Sequence, residues 1–259
     1  MSEKPKKSLG QHWLFDDAIL ASIVDTADIK TNENVLEVGP GLGTLTKKLL
    51  QTGAEIYAVE KDEALSYKLR HTFNQDNNFK LFINDILKFD LTSLPPNYKV
   101  VANIPYYLTS NLIRILTESD NPPGSITLLV QKEVAQRICA SPGQMSLLSV
   151  SAQLYYHCNL SIIVPGDKFT PPPKVDSQVV HLVRKQPKEI PKLNTKHFFR
   201  VVRAGFSSRR KTLLNSLSGG LDVSKQITKE NLEKAGISSD QRPQELSLED
   251  WLRLSKQLS

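Results

Sequence analysis

Near the middle of the chain, Asn103, Ile104, Pro105 and Tyr106 end a short apolar run and precede a helix-like segment. Asn and Pro are poor strand residues, and a plain turn would use Gly, Asp or Ser. The types present suit chemistry better. The Asn103 side-chain oxygen can accept a hydrogen bond. Pro105 restricts the residue before it, which steadies the Ile104 carbonyl as a second acceptor. Tyr106 offers a face on which a base taken out of its stack can rest. Two acceptors and an aromatic plate suit an adenine amino group. That nitrogen is a poor nucleophile because its lone pair is delocalised into the ring. Acceptors aimed at its hydrogens turn it towards tetrahedral geometry, and most of the gain is positioning. No strong base is required.

A second cluster lies some sixty residues earlier. The run "EVGPGLG" carries Gly39, Gly41 and Gly43 after a strand and before a helix. Glycines let a backbone bend tightly and approach a ligand closely. The dinucleotide fingerprint G-x-G-x-x-G would need glycine where Thr44 stands. The G-x-G-x-G pattern, with Glu37 in the strand, resembles motif I of methyltransferases that use S-adenosylmethionine. Glu60 ends the next strand, where a carboxylate can accept from two ribose hydroxyls. Asp85 is placed to accept from an adenine amino group.

These residues need a frame. "NVLEV", "EIYAVE", "FKLFIN", "YKVVAN" and "SITLLVQ" read as strands alternating with helix-like segments such as "KDEALSYKLRHTF". That alternation predicts an α/β fold with a mainly parallel, Rossmann-like sheet. Gly39, Glu60, Asp85 and Asn103 fall at the carboxyl ends of successive strands, where such sheets bind ligands. A helix with Asp16 as N-cap precedes the first strand, and Gly53 is placed to end the helix after the glycine turn. "CNLSIIV" and "SQVVHLVRK" are expected to form an antiparallel pair closing the sheet. Between them, "PGDKFTPPPKVD" reads as a stiff extended loop whose prolines forbid a ladder. Beyond Ile190 the strand signal ends, so residues 1–189 form the expected catalytic domain, with a basic N-terminal arm. Residues 190–259 form a small helical domain.

In order along the chain, "KKSLGQHWL", "EVGPGLGTLT", "VEKD", "NDIL", "NIPYYLTS", "VQKEVAQRI", "SLLSVSAQLYY", "FTPPPKVDSQVV" and "RRKTLLNSL" resemble the ribosomal RNA adenine N6-dimethyltransferase family. The narrower likeness is to its KsgA-type small-subunit branch. The resemblance implies S-adenosylmethionine as cofactor, with the N-terminal segment helping to cover it. It implies cofactor contacts from His12, Leu14, Gly39, Gly41, Glu60, Asp85 and Asn103. Asn103, Ile104, Pro105 and Tyr106 would serve the target base, with Phe169 stacking opposite Tyr106 or wedged under the proline loop. His12 and Trp13 stand where the family usually has Asn and Phe. The implied reaction converts two adjacent adenosines near the 3′ end of 16S ribosomal RNA to N6,N6-dimethyladenosine, in an immature small subunit.

The formal net charge is +6 over 259 residues, which permits a nucleic-acid partner. Its placement is more telling. No Asp or Glu occurs from Ile190 to Leu221, while Lys196, Arg200, Arg203 and Arg210 recur at near-helical spacing, extended by Arg209 and Lys211. A cationic stripe of this kind contacts RNA phosphates. Cys139 and Cys158 lack zinc or redox spacing and read as reduced thiols. No metal constellation, secretory signal or membrane-length apolar run is read, so a cytoplasmic monomer is expected. Three alternatives stay open: an Erm-type 23S ribosomal RNA methyltransferase, an NAD-dependent dehydrogenase and a non-catalytic ribosome-assembly factor. "GPGLG" and "TPPPKVDS" favour the small-subunit enzyme over the Erm type. Thr44 speaks against the dehydrogenase.

Overall fold

The apolar runs pair side by side into one seven-stranded sheet. The computed structural model describes residues 10–208 and 210–258; the basic N-terminal arm and Arg209 lie outside the described residues. In chain order the strands are β1 (Trp13–Leu14), β2 (Asn34–Val38), β3 (Glu55–Glu60), β4 (Phe79–Ile83), β5 (Lys99–Asn103), β6 (Ser125–Gln131), β7 (Tyr156–Val164), β8 (Phe169–Thr170) and β9 (Ser177–Arg184). The helices are α1 (Asp17–Ala27), α2 (Thr44–Leu50), α3 (Glu63–Thr72), α4 (Thr109–Glu118), α5 (Lys132–Ile138), α6 (Leu147–Gln153), α7 (Thr195–Phe206), α8 (Leu213–Leu221), α9 (Lys225–Lys234) and α10 (Leu248–Gln257).

The large sheet runs β4-β3-β2-β5-β6-β9-β7. The first five strands in that order are parallel, and β9 joins both β6 and β7 antiparallel. The continuous apolar runs of β2, β5 and β6 follow from this position, since central parallel strands are covered on both faces. Val35, Val100, Val101, Ile126, Leu128 and Leu129 are fully buried. Asp16 caps α1 by accepting from the Ile19 N–H at 3.2 Å, and Gly53, at φ +77°, donates to the Leu50 carbonyl after α2.

One expectation is corrected. The loop before β9 contains a ladder: β8 pairs antiparallel with β1, Trp13 opposite Thr170 and Leu14 opposite Phe169. Phe169 and Thr170 precede the prolines, so both keep the N–H that Pro171, Pro172 and Pro173 lack.

The chain divides into two compact units, one of residues up to Gln136 plus Tyr156–Arg184, the other of Arg137–Tyr155 plus the chain from Lys185 onward. The sequence boundary at 189/190 lies close to the last of the three crossings, at 184/185. It does not anticipate that α6 and its flanks join the helical unit. There Val150 and Leu154 share a core with Phe198, Val202, Leu217, Leu232, Trp251 and Leu254. Close approach explains Gly205 in α7: a Cβ there would sit 2.4 Å from Trp251 Cη2. Among the described residues, no helix is long and apolar enough to cross a membrane.

Candidate active site

The carboxyl ends of β2, β3, β4 and β5, together with β1 and β8, enclose one cavity of about 210 Å³. Its wall gathers His12, Leu14, Gly39, Gly41, Glu60, Asp85, Asn103, Ile104, Pro105, Tyr106 and Phe169. Every cofactor and target-base residue read from the sequence therefore reaches one space. The RNA-face residues belong to the helical unit.

The glycine turn is built by its backbone. Gly39, Gly41 and Gly43 have φ of +65°, +60° and +79°. Gly39 donates to the Val59 carbonyl at 2.9 Å, which ties the turn to β3. Nothing lies within 4 Å of where a Gly39 Cβ would stand, so its backbone borders open space. Glu60, at the end of β3, accepts from the Gly41 N–H at 3.1 Å and from the Asp62 N–H at 2.8 Å. It is 6% exposed, and burial pushes its carboxyl up despite these bonds. Each carboxylate oxygen retains lone pairs for a ligand hydroxyl.

Asp85 stands after β4. Its Oδ2 accepts from Lys61 Nζ at 2.8 Å and its Oδ1 from the Leu87 N–H at 3.0 Å. The Lys61 ammonium holds the Asp85 carboxyl below its usual value. Lys61 was not among the sequence candidates, although it directly follows Glu60. Glu37 in β2 is a second addition. It is wholly buried, and burial raises its carboxyl to about 8, with the nearby Glu60 adding to the rise. Thr46 is close enough to favour the charged form, but neither Glu37 Oε2 nor Thr46 Oγ1 makes a well-formed hydrogen bond among the described residues. A carboxylate inside "NVLEV" was the available signal.

The corner after β5 leaves two acceptors uncommitted. The Pro105 carbonyl accepts from the Leu108 N–H at 3.0 Å, and the Tyr106 carbonyl from Thr109 Oγ1 at 3.1 Å. Among the described residues, nothing hydrogen-bonds the Ile104 carbonyl or the Asn103 side chain. Tyr106 is anchored by its hydroxyl, 2.7 Å from Ser177 Oγ on β9. The His12 ring stacks beside it, centroids 5.7 Å apart, and His12 Nδ1 donates to the Pro171 carbonyl at 2.7 Å. Trp13 and Tyr107 also line the cavity and were not among the sequence candidates.

Phe169 sits under the proline loop, one of the two placements that the sequence leaves open. It is 3% exposed and packs with Leu14, Leu20, Val164 and Val179. The pairing of β8 with β1 draws its ring towards that core under the proline loop, and the residue also lines the cavity that Tyr106 lines.

The cationic residues divide into two groups. Lys196, Arg200 and Arg203 are exposed on α7, while Phe199 and Val202 are buried on its other side. Arg210 and Lys211 are exposed in the turn before α8, because α7 ends at Phe206. Among the described residues, none of these five cations has an acidic partner.

A family model described as ribosomal RNA adenine dimethylase matches residues 2–259. The ribosomal RNA small subunit methyltransferase A of Dehalococcoides mccartyi is 42% identical over 254 residues, 97% of this chain and 87% of that protein. The protein of the same name from Clostridium botulinum is 42% identical over 97% of this chain and 93% of its own length. Among solved structures, a dimethyladenosine transferase from Plasmodium falciparum superposes with a TM-score of 0.78 at 28% identity, covering 94% of this chain and 96% of that one. The 23S rRNA methyltransferase ErmE superposes with a TM-score of 0.74 at 26% identity, covering 95% of this chain and 99% of that one. With a match along nearly its whole length and a glycine turn opening on the same cavity as the Asn-Ile-Pro-Tyr corner, the chain belongs to the ribosomal RNA adenine dimethylase family.

Proposed function

We propose that this chain uses S-adenosylmethionine to dimethylate, at N6, two adjacent adenosines near the 3′ end of 16S ribosomal RNA in the immature small subunit. The observation that carries the reading is the pair of uncommitted acceptors, Asn103 Oδ1 and the Ile104 carbonyl, in the same cavity as the glycine turn. The 42% identity to small-subunit enzymes, against 26% to ErmE, supports 16S over 23S RNA. The reading places its action in the cytoplasm, where subunits are assembled.

The cavity suits the cofactor on its own terms. Gly39 leaves room for close approach along its backbone. Glu60 is fixed by two backbone N–H groups with lone pairs to spare for ribose hydroxyls. Asp85 is held ionised by Lys61, ready to accept from an amino group. His12 and Leu14 bring the N-terminal segment over the cavity. When bound, the cofactor supplies a methyl group made electrophilic by a sulfonium. The chain's own residues hold the acceptor. Asn103 and Ile104 would accept hydrogen bonds from both N6 hydrogens in the first methylation and from the one that remains in the second, directing the nitrogen lone pair, while Tyr106 supports the ring. On transfer the methyl–sulfur bonding electrons would stay with the cofactor's sulfur, and the surplus N6 proton, hydrogen-bonded to Asn103 Oδ1 or the Ile104 carbonyl, would be lost to solvent. No ionised base is needed, in keeping with the neutral Asn103.

The test is label transfer from tritiated S-adenosylmethionine to small subunits lacking the modification, with intact large subunits in parallel. Label in 16S RNA as N6,N6-dimethyladenosine is expected. Label confined to 23S RNA, or to neither, overturns the reading.

A further inference from the structure

Tyr107 follows the anchored Tyr106 directly yet is placed quite differently. Its side chain lines the cavity and is 65% exposed. The inner edge of the ring is set by Gly10: a Cβ there would lie 3.5 Å from Tyr107 Cδ1 and Cε1. Single exposed aromatic rings are ordinary on a protein surface, and Tyr67 is exposed as well; what sets Tyr107 apart is its place on the rim of the cavity. Beside a pocket that takes a base, it has a use. Drawing one adenosine out of its stack uncovers the π-face of its neighbour, and a protein aromatic can replace the lost partner. Its neighbours on the rim do not compete for that role. Lys61 is paired with Asp85, and Leu87, though 39% exposed, has no π-face.

We propose that Tyr107 is a stacking subsite for the nucleotide adjacent to the one in the pocket. Its ring covers that base, whichever of the two adenosines is being modified. The subsite is sequence-tolerant, since every base presents a π-face. It acts on RNA binding and not on the cofactor. The inference rests on the proposed 16S reading, whose substrate places two adenosines side by side.

The experiment compares wild type with Tyr107→Leu, Tyr107→Ala and Tyr107→Phe on unmodified small subunits. It measures KM for the particle, kcat, and cofactor affinity by calorimetry. Leucine keeps the apolar packing on Gly10 but has no π-face. Tyr107→Leu and Tyr107→Ala should raise KM for the particle by about 10-fold, with cofactor affinity and kcat within about 2-fold. Tyr107→Phe should match wild type. Unchanged KM in Tyr107→Leu overturns the subsite. So does a loss of cofactor affinity in that variant, which would make Tyr107 a seal over the cofactor. If wild type leaves the subunit unlabelled, the functional reading fails and this inference with it. If wild type labels and Tyr107→Leu labels equally well, only this inference fails.

Discussion

The hydroxyls of Tyr106 and Ser177 lie 2.7 Å apart although 71 residues separate them in the chain. The bond fastens the corner after β5 to the start of β9 and leaves the Tyr106 ring less free to turn. Tyr106→Phe and Ser177→Ala should each lower stability by about 1 kcal/mol, and each should reduce kcat severalfold. If the pair acts through this bond, the double variant costs little more than either single one, with a coupling of about 1 kcal/mol. Additive losses in a double-mutant cycle would show that the hydroxyls act separately.

Asn103 carries the heaviest demand. Asn103→Ala removes an acceptor and leaves the glycine turn and Glu60 untouched. The expected result is a fall in kcat of about 100-fold or more, with cofactor affinity within a few fold. Single-turnover kinetics and calorimetry separate the two. Full activity in this variant would remove Asn103 from the reaction.

Gly39 tests the cavity from its other end. At φ +65° with open space beside it, Gly39→Ala meets no clash, and the left-handed backbone alone should cost about 1–2 kcal/mol. The added methyl group would enter the cavity beside the turn where the proposed reading seats the cofactor. Cofactor affinity should therefore fall further than stability does. Equal affinity in the variant would place the cofactor away from this turn.

Much of this was legible in the chain, for physical reasons. Strand runs such as "NVLEV" and "SITLLVQ" are long and apolar enough to declare central strands, and a parallel sheet puts its ligand at their carboxyl ends. What escaped was non-local or short. β1 and β8 have two residues each and lie 155 positions apart at their paired ends, too short for any periodicity. The fate of Phe169 followed from that pairing. The Lys61–Asp85 ion pair depends on β3 and β4 lying side by side. Arg137–Tyr155 carries no strand signal and no composition break, and only packing assigns it to the second unit.

Glu37 should make stability depend on pH. Its ordinary value is 4.5, and burial raises it to about 8 in the folded chain. Between those values the folded chain holds a proton that the unfolded chain has released. Unfolding free energy therefore falls as pH rises through this window, by about 1.4 kcal/mol per pH unit at most, and levels off above it. Glu37→Gln keeps the shape without the charge and should flatten this part of the profile. Melting temperatures of both proteins at pH 5.5 and pH 8.5 decide it. Parallel profiles would mean that Glu37 titrates near its ordinary value.

The exposed cations on α7 should reveal themselves through salt. A phosphate contact releases counterions, so each one adds to the slope of log affinity against log salt, by about 0.7–0.9. Arg200 and Arg203 are exposed and lack acidic partners among the described residues. Replacing both by Ala should weaken binding to the small subunit and reduce the slope by about 1.5. Cofactor affinity, measured without RNA, should not move, because neither residue lines the cavity. If the double variant binds with an unchanged slope, α7 presents an ordinary solvated face, and the RNA contacts of this chain lie elsewhere.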